Sequence, residues 1–238
     1  LNLFVLVSAD DKRYTDEVAT LSTRKVVDDA QVGISGDFRD SLLQGGVNTF
    51  ELNLSSGRLG YPGGVPSGLD DALQFHKLNG AFSRLQNLVD NRLLAYLALR
   101  GQWAFDNLDT TEQFRAGGPE GVRAFAPGEG TGDAGVLMSG ELRWLPPQAW
   151  FGPTARDLVF AAFVDAAVVR LRHDPDLIAR DPGYRNHAGL AGAGLSLVWA
   201  HPGEYALRLS LATPLRGTPQ SDTRVRNPRL YLQGSWQF

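Results

Sequence analysis

The chain has 238 residues, 43% of them apolar, with a formal net charge of −3, no cysteine and one methionine. That length suits one large or two small domains, and that apolar content excludes a disordered chain. The charge gives no electrostatic case for a nucleic-acid partner, the missing cysteines exclude disulfides and thiolate chemistry, and no apolar run approaches the ~18 residues of a membrane-spanning helix.

The dominant hydrophobic period is two. In chain order, strands are expected at about Leu1–Ala9, Val26–Phe38, Val47–Leu54, His76–Leu88, Arg92–Phe105, Ala134–Trp144, Arg156–Val169, His187–Ala200, Tyr205–Thr213 and Pro228–Phe238. Phe50, Leu52 and Leu54 alternate with Thr49, Glu51 and Asn53. Val136, Met138, Leu142 and Trp144 alternate with Leu137, Ser139, Glu141 and Arg143. In Arg156–Val169, the residues Leu158 to Val168 at every second position form an apolar face, with Asp157 and Asp165 on the opposite one. No amphipathic helix stands out; Pro66–Leu73 has room for one helical turn.

The connections are uneven. Asp90-Asn91 and His201–Glu204 read as tight turns, whereas Gly57–Phe75, Asp106–Asp133, His173–Asn186 and Pro214–Asn227 are long. Such loops are uncommon in compact soluble domains, but short turns on one side and long loops on the other are usual in outer-membrane barrels. Aromatics gather at strand ends: Trp103, Phe105, Trp144, Trp199, Tyr205 and Trp236. Those are girdle positions on a lipid-facing surface. The chain ends on Trp236 and Phe238 in its last strand, and a terminal Phe is a feature that barrel-assembly machinery reads. The expected fold is all-β, an antiparallel transmembrane β-barrel with about ten strands present. A soluble sandwich or lipocalin-like barrel would also alternate; it would hold the charges Arg100, Glu141, Arg143, Asp165, Arg208 and Arg229 outside rather than inside.

Between two expected strands lies QFRAGGPEGVRAFAPGEGTGDAG, Gln113–Gly135, too rich in glycine for helix or regular strand. Gly117, Gly118, Pro119, Gly121, Val122, Arg123 and Phe125, then Gly132-Asp133 and Gly135, then Glu141-Leu142-Arg143, resemble the loop-and-strand motif of the outer-membrane transporters of two-partner secretion. These form the haemolysin secretion/activation family, within the barrel-assembly superfamily. The lead-in Asn107–Phe114, the mid-chain Gly33–Gly57, and Phe163-Val164-Asp165-Ala166-Ala167, which is similar to the family's Phe-x-Asp-x-Gly, extend the resemblance over most of the chain. Ala124 and Ala167 replace family glycines; an alanine at 124 implies φ < 0 there.

The resemblance implies several things about the whole protein. Family members carry a sixteen-stranded barrel after periplasmic domains, so residues 1–238 are expected to be the C-terminal portion of an outer-membrane barrel transporter domain, without the periplasmic domains and first strands. The implied function is a pore in the bacterial outer membrane that secretes one large exoprotein of the haemolysin, adhesin or growth-inhibition toxin class. It needs no cofactor and performs no catalysis. Its partners are the exoprotein, outer-membrane lipid and the barrel-assembly machinery. An assembly or insertion factor of the same superfamily and a passive porin are the competing readings. In the family the long loop turns back into the lumen, and its arginine meets the aspartate of the later motif. Carried over, Arg123 is expected to meet Asp165, with Phe163 beside it. One ion pair cannot order so long a loop at ~1–2 kcal/mol per residue, so Val122 and Phe125 are expected to pack in the lumen too.

Other features weigh less. The glycine loop lacks the Gly-Lys-Ser/Thr of a phosphate loop. The four histidines are scattered, His173–Asp176 reads as a polar turn, and no Ser/His/Asp spacing supports hydrolysis.

Overall fold

The computed structural model describes residues 1–18, 21–63, 72–175, 185–217 and 227–237. Its strands are β1 (Asn2–Val18), β2 (Leu21–Asp40), β3 (Gly46–Gly60), β4 (Ala72–Val89), β5 (Leu93–Ala104), β6 (Phe114–Arg115), β7 (Thr131–Gly132), β8 (Ala134–Trp144), β9 (Leu158–Arg170), β10 (His187–His201), β11 (Tyr205–Arg216) and β12 (Arg229–Trp236). Ten of them form one antiparallel sheet in the order β1-β2-β3-β4-β5-β8-β9-β10-β11-β12. The other two, β6 and β7, pair with each other in the connection between β5 and β8. β1 and β12 each have one partner strand among the described residues.

Each expected strand is present; β8 keeps the expected bounds and the others have shifted ends. β1 runs to Val18 instead of Ala9, and β3 to Gly60 instead of Leu54. The added segments, such as Asp10–Val18 and Ser55–Gly60, are mostly polar. A ladder satisfies its backbone groups whatever its side chains, so it can continue through polar sequence with no alternation to announce it. The start of β9 moves the other way. Gly152–Asp157 form a 3-10 turn behind a short helix, α1 (Gln148–Phe151), so Asp157 is not a strand residue. Pro153 removes a ladder donor there, and Asp157 instead lies 3.1 Å from His201 Nδ1. The helical turn expected from Pro66 falls outside the described residues up to position 71, and Ala72 already opens β4. Phe238 also lies outside the described residues.

At one rim, where α1 and the 3-10 turn join β8 to β9, other turns are tight: Asp90 and Asn91 both adopt positive φ between β4 and β5, with Asn87 and Asn91 side chains bonded to each other. The opposite rim carries the long connections, including residues 105–133.

The sheet is curled. Leu108 packs with Val27 of β2, Leu59 of β3, Phe75 of β4 and Ala104 of β5. Phe125, in the same connection, packs with Phe163 of β9, Leu190 of β10 and Ala212 of β11, and its carbonyl accepts a hydrogen bond from Tyr231 of β12. In a flat sheet β2 and β12 would stand roughly 38 Å apart at ~4.8 Å per strand. One folded loop touches both because the strands wrap around it.

The wrap separates two faces. Val136, Met138, Leu142, Val164, Val168, Leu195, Leu209, Leu211, Leu230 and Leu232 point outward and are exposed. Asp165, Ser196, Ser210, Gln102 and the loop itself are inside and buried. Outward charges at the tight-turn rim are neutralised: Arg84 donates to both carboxylate oxygens of Asp40, beside Asn48 and Gln86.

Candidate functional site: the lumenal loop and its wall

The site starts from two neighbouring strands. β8 and β9 pair Ser139 with Asp165 and Glu141 with Phe163. Period-two alternation therefore sets Ser139, Glu141, Phe163 and Asp165 together on the inner face. The loop delivers Arg123 onto that patch.

Arg123 uses nearly every donor it has. Nε and Nη2 donate to the two oxygens of Asp165 at 2.9 and 2.8 Å, a bidentate fork, and its backbone N–H adds a third bond at 3.1 Å. Nη1 donates to Glu141 at 2.8 Å and Nη2 to the Ser139 hydroxyl at 3.0 Å. Ser139 in turn donates to Asp165 at 2.7 Å, and Arg143 donates to the other oxygen of Glu141 at 2.7 Å. The Arg123 guanidinium carbon stands 3.4 Å from the centroid of the Phe163 ring, and that of Arg143 stands 3.9 Å from the centroid of Tyr96. Two cations and two carboxylates balance in a place where Asp165 has no exposure at all and Arg123 only 3%.

The loop around Arg123 is an ordered hairpin. Beyond the β6–β7 ribbon, Ala116 N–H donates to Gly130, Gly117 to Glu129, Gly118 to Phe125, Val122 to Ala116 and Phe125 to Val122. Gly121 permits this: a Cβ there would stand 2.0 Å from the Ala116 carbonyl oxygen. Val122, Ala124 and Phe125 are buried against Leu137, Phe163, Ala167, Val169, Leu190 and Ala212. Ala124 has a negative φ and fits because β10 offers Gly192 opposite it; a Cβ on Gly192 would lie 2.5 Å from that of Ala124. Gln233 of β12 reaches Glu120 at 2.8 Å.

The residues of the glycine motif thus lie together on the concave face of the curled sheet, beside Asp165 and Phe163. The aromatics form two separate groups. Trp144, Trp199, Tyr205 and Trp236 lie at the tight-turn rim, where Trp144 packs on Trp150 and Phe160, and Tyr205 on Trp199 and Trp236. Trp103 and Phe105 stand exposed at the opposite rim, Trp103 beneath Arg170.

The sequence assigned no part to Ser139 or Glu141 as partners of Arg123, nor to Asp133 as a hub. Fully buried Asp133 accepts from Leu108 N–H, from the Gln113 amide at 2.7 Å and from His173 N–H at 2.8 Å, tying the loop to the β9–β10 connection. Ser139 and Glu141 share the inner face with Asp165, and the register between β8 and β9 would have found them; Asp133 stands in the Gly132-Asp133 part of the motif, which marks the residue but not the partners it gathers.

The family model described as haemolysin secretion/activation protein ShlB/FhaC/HecB matches residues 8–197. The heme/hemopexin transporter protein HuxB of Haemophilus influenzae (strain 86-028NP) is 24% identical over 216 residues, covering 88% of this chain and 37% of HuxB. Among solved structures, CdiB from Acinetobacter baumannii aligns with a TM-score of 0.54 at 17% identity, over 98% of this chain and 46% of CdiB. BamA from Haemophilus ducreyi lacking POTRA domains 1-3 aligns with a TM-score of 0.50 at 15% identity, over 98% of this chain and 58% of that chain. These two are likenesses of fold, the barrel fold of outer-membrane proteins. The chain spans less than half the length of HuxB and of CdiB.

Proposed function

The chain belongs to the haemolysin secretion/activation family, and on that basis we propose that it is the C-terminal ten strands of an outer-membrane barrel that exports a large partner protein by two-partner secretion. The observation that carries this reading is the loop of residues 113–135, folded into the curled sheet with Arg123 on Asp165. A permanently open solute pore has no use for an ordered hairpin across its lumen. A pore for an extended polypeptide needs a lumen that stays sealed at rest and clears when cargo arrives.

The geometry suits a latch of that kind. The loop tip is held to the wall by side chains, by the Arg123 N–H on Asp165 and by the Phe125 carbonyl on Tyr231, while most of its other backbone hydrogen bonds close within itself. It can therefore move as a unit, exchanging the bonds to β8, β9 and β12 for water. The inner wall it would uncover is mixed: a polar patch of Ser139, Glu141, Arg143 and Asp165 on β8 and β9 and Arg208 on β11 lies beside the apolar Leu137, Phe163, Ala167, Val169, Leu190 and Ala212. Outside, the apolar band and its two aromatic rims suit outer-membrane lipid. The barrel-assembly machinery is the expected route of insertion. Export of this kind calls for no cofactor and no catalytic group.

The test is secretion of the partner exoprotein by a Gram-negative host carrying the full-length transporter. Wild type is expected to export it, and Arg123→Ala and Asp165→Ala each to lose most export while still inserting. Wild-type export by both variants would overturn the latch; no export by wild type would overturn the transport reading.

A further inference from the structure

The chain contains twenty arginines and only three lysines, Lys12, Lys25 and Lys77. They lie on β1, β2 and β4. Lys12 pairs with Val27 and Lys77 with Ala104, both fully buried inner residues, and Lys25 stands two residues from Val27 on the same face. All three lysines therefore point inward, and all three converge on acids at the lead-in to the loop. Lys25 Nζ is 2.9 Å from Asp109 Oδ2. Lys77 Nζ is 2.6 Å from Glu112 Oε2 and 3.0 Å from the Glu112 carbonyl oxygen. Lys12 Nζ is 2.9 Å from Asp29 Oδ1 and 3.7 Å from Glu112 Oε1. Three cations meet three carboxylates, and the Lys77 and Glu112 side chains retain only 11% and 6% of their exposure.

We propose that Lys12, Lys25 and Lys77 are positioning residues that clamp the root of the loop, Asp109–Glu112, to β1–β4, independently of the Arg123 latch on β8 and β9. The two anchors grip different parts of the sheet, with β5 between them. The root adds its own packing, with Leu108 seated among Val27, Leu59, Phe75 and Ala104, and Gln102 donates to the Glu112 carbonyl. The short β6–β7 ribbon lies between root and tip. Release of Arg123 then frees the tip while the root stays fixed, so the loop swings aside on a tether and returns to the same seat. The proposal rests on the reading of the chain as an export pore for its purpose, and on geometry for the clamp.

These 238 residues contain no cysteine, so once any cysteine elsewhere in the full-length protein is replaced, introduced thiols report single positions. In the full-length protein in liposomes, Leu108→Cys reports the root and Val122→Cys the tip, each by its rate of modification with a water-soluble maleimide. Lys77→Gln and Lys25→Gln are each expected to speed modification at 108 by roughly tenfold or more and leave 122 slow. Arg123→Ala is expected to do the reverse. Lys77→Arg, which keeps the charge, is expected to restore slow modification at 108. Should Lys77→Gln fail to give a heat-modifiable barrel, the Lys25→Gln pair decides. Unchanged modification at 108 in the lysine variants overturns the clamp, and so does equal acceleration at 108 and 122, which would mean a single cooperative latch. These rates are read without cargo, so a protein that follows the expected pattern yet exports nothing refutes the export reading and keeps the clamp.

Discussion

Arg123 sits where an arginine is expensive to strand. Its charge is nearly free of solvent and is matched by Asp165 and Glu141 through charge-assisted hydrogen bonds. A buried pair of this kind adds little over an apolar isostere, but deleting one partner leaves an unmatched charge at a cost of about 3–5 kcal/mol. Asp165→Ala should therefore do more than remove a contact: the loop leaves its seat so that Arg123 can reach water. The fit of Ala124 against Gly192 makes a separate prediction. Gly192→Ala puts two methyl groups into space for one, and overpacking of this sort costs about 1–3 kcal/mol. Amide exchange across residues 116–126 should rise roughly ten- to hundredfold in Gly192→Ala and fall back when Ala124→Gly is added. No recovery in the double variant would mean that the Thr213 carbonyl, 3.2 Å from where the new methyl group would sit, is the true obstacle.

At the scale of elements, alternation made the strands and their faces legible, because the outer side of a strand is apolar while polar residues interrupt the inner one; in β9 Asp165 alone marks that side. It failed at strand ends for the opposite reason. Asp10–Val18 of β1 and Ser55–Gly60 of β3 carry ladder pairs on mostly polar sequence that lacks an apolar alternation. Within the site, the motif named Arg123 and Asp165, which the structure places together. Glu141 and Ser139 required the β8–β9 register, and the lysine clamp required knowing that β1, β2 and β4 curl toward one loop. Those are facts of pairing and curvature, and no local pattern carries them. The hairpin itself is testable as an element. Gly121→Ala forces a Cβ against the Ala116 carbonyl, a backbone clash that no rotamer relieves. The barrel should still insert and remain heat-modifiable, while partner export falls at least as far as in Arg123→Ala. Export at the wild-type level would show that the loop tolerates a different fold.

At the scale of the whole molecule, the two faces of the sheet ask for two solvents. The outward leucines lie where lipid would be, and the inward polar residues face the loop and water. Leu209, exposed on the outer face of β11 and paired with Leu232 of β12, is a central probe of the first. Leu209→Arg should weaken folding of the full-length protein into liposomes by about 2–4 kcal/mol if that position faces the bilayer midplane, and an unchanged folding midpoint in denaturant would place it outside lipid. The inner solvent is tested by the loop. Its amides at Gly117, Gly118, Gly121, Val122 and Phe125 are bonded within the hairpin, and the hairpin is held by Arg123 on Asp165. The decisive measurement is hydrogen–deuterium exchange of residues 116–126 in the full-length protein in lipid nanodiscs. A latched loop gives strong protection in wild type that is lost in Arg123→Ala; exchange in wild type as fast as in an unstructured surface loop would contradict the latch.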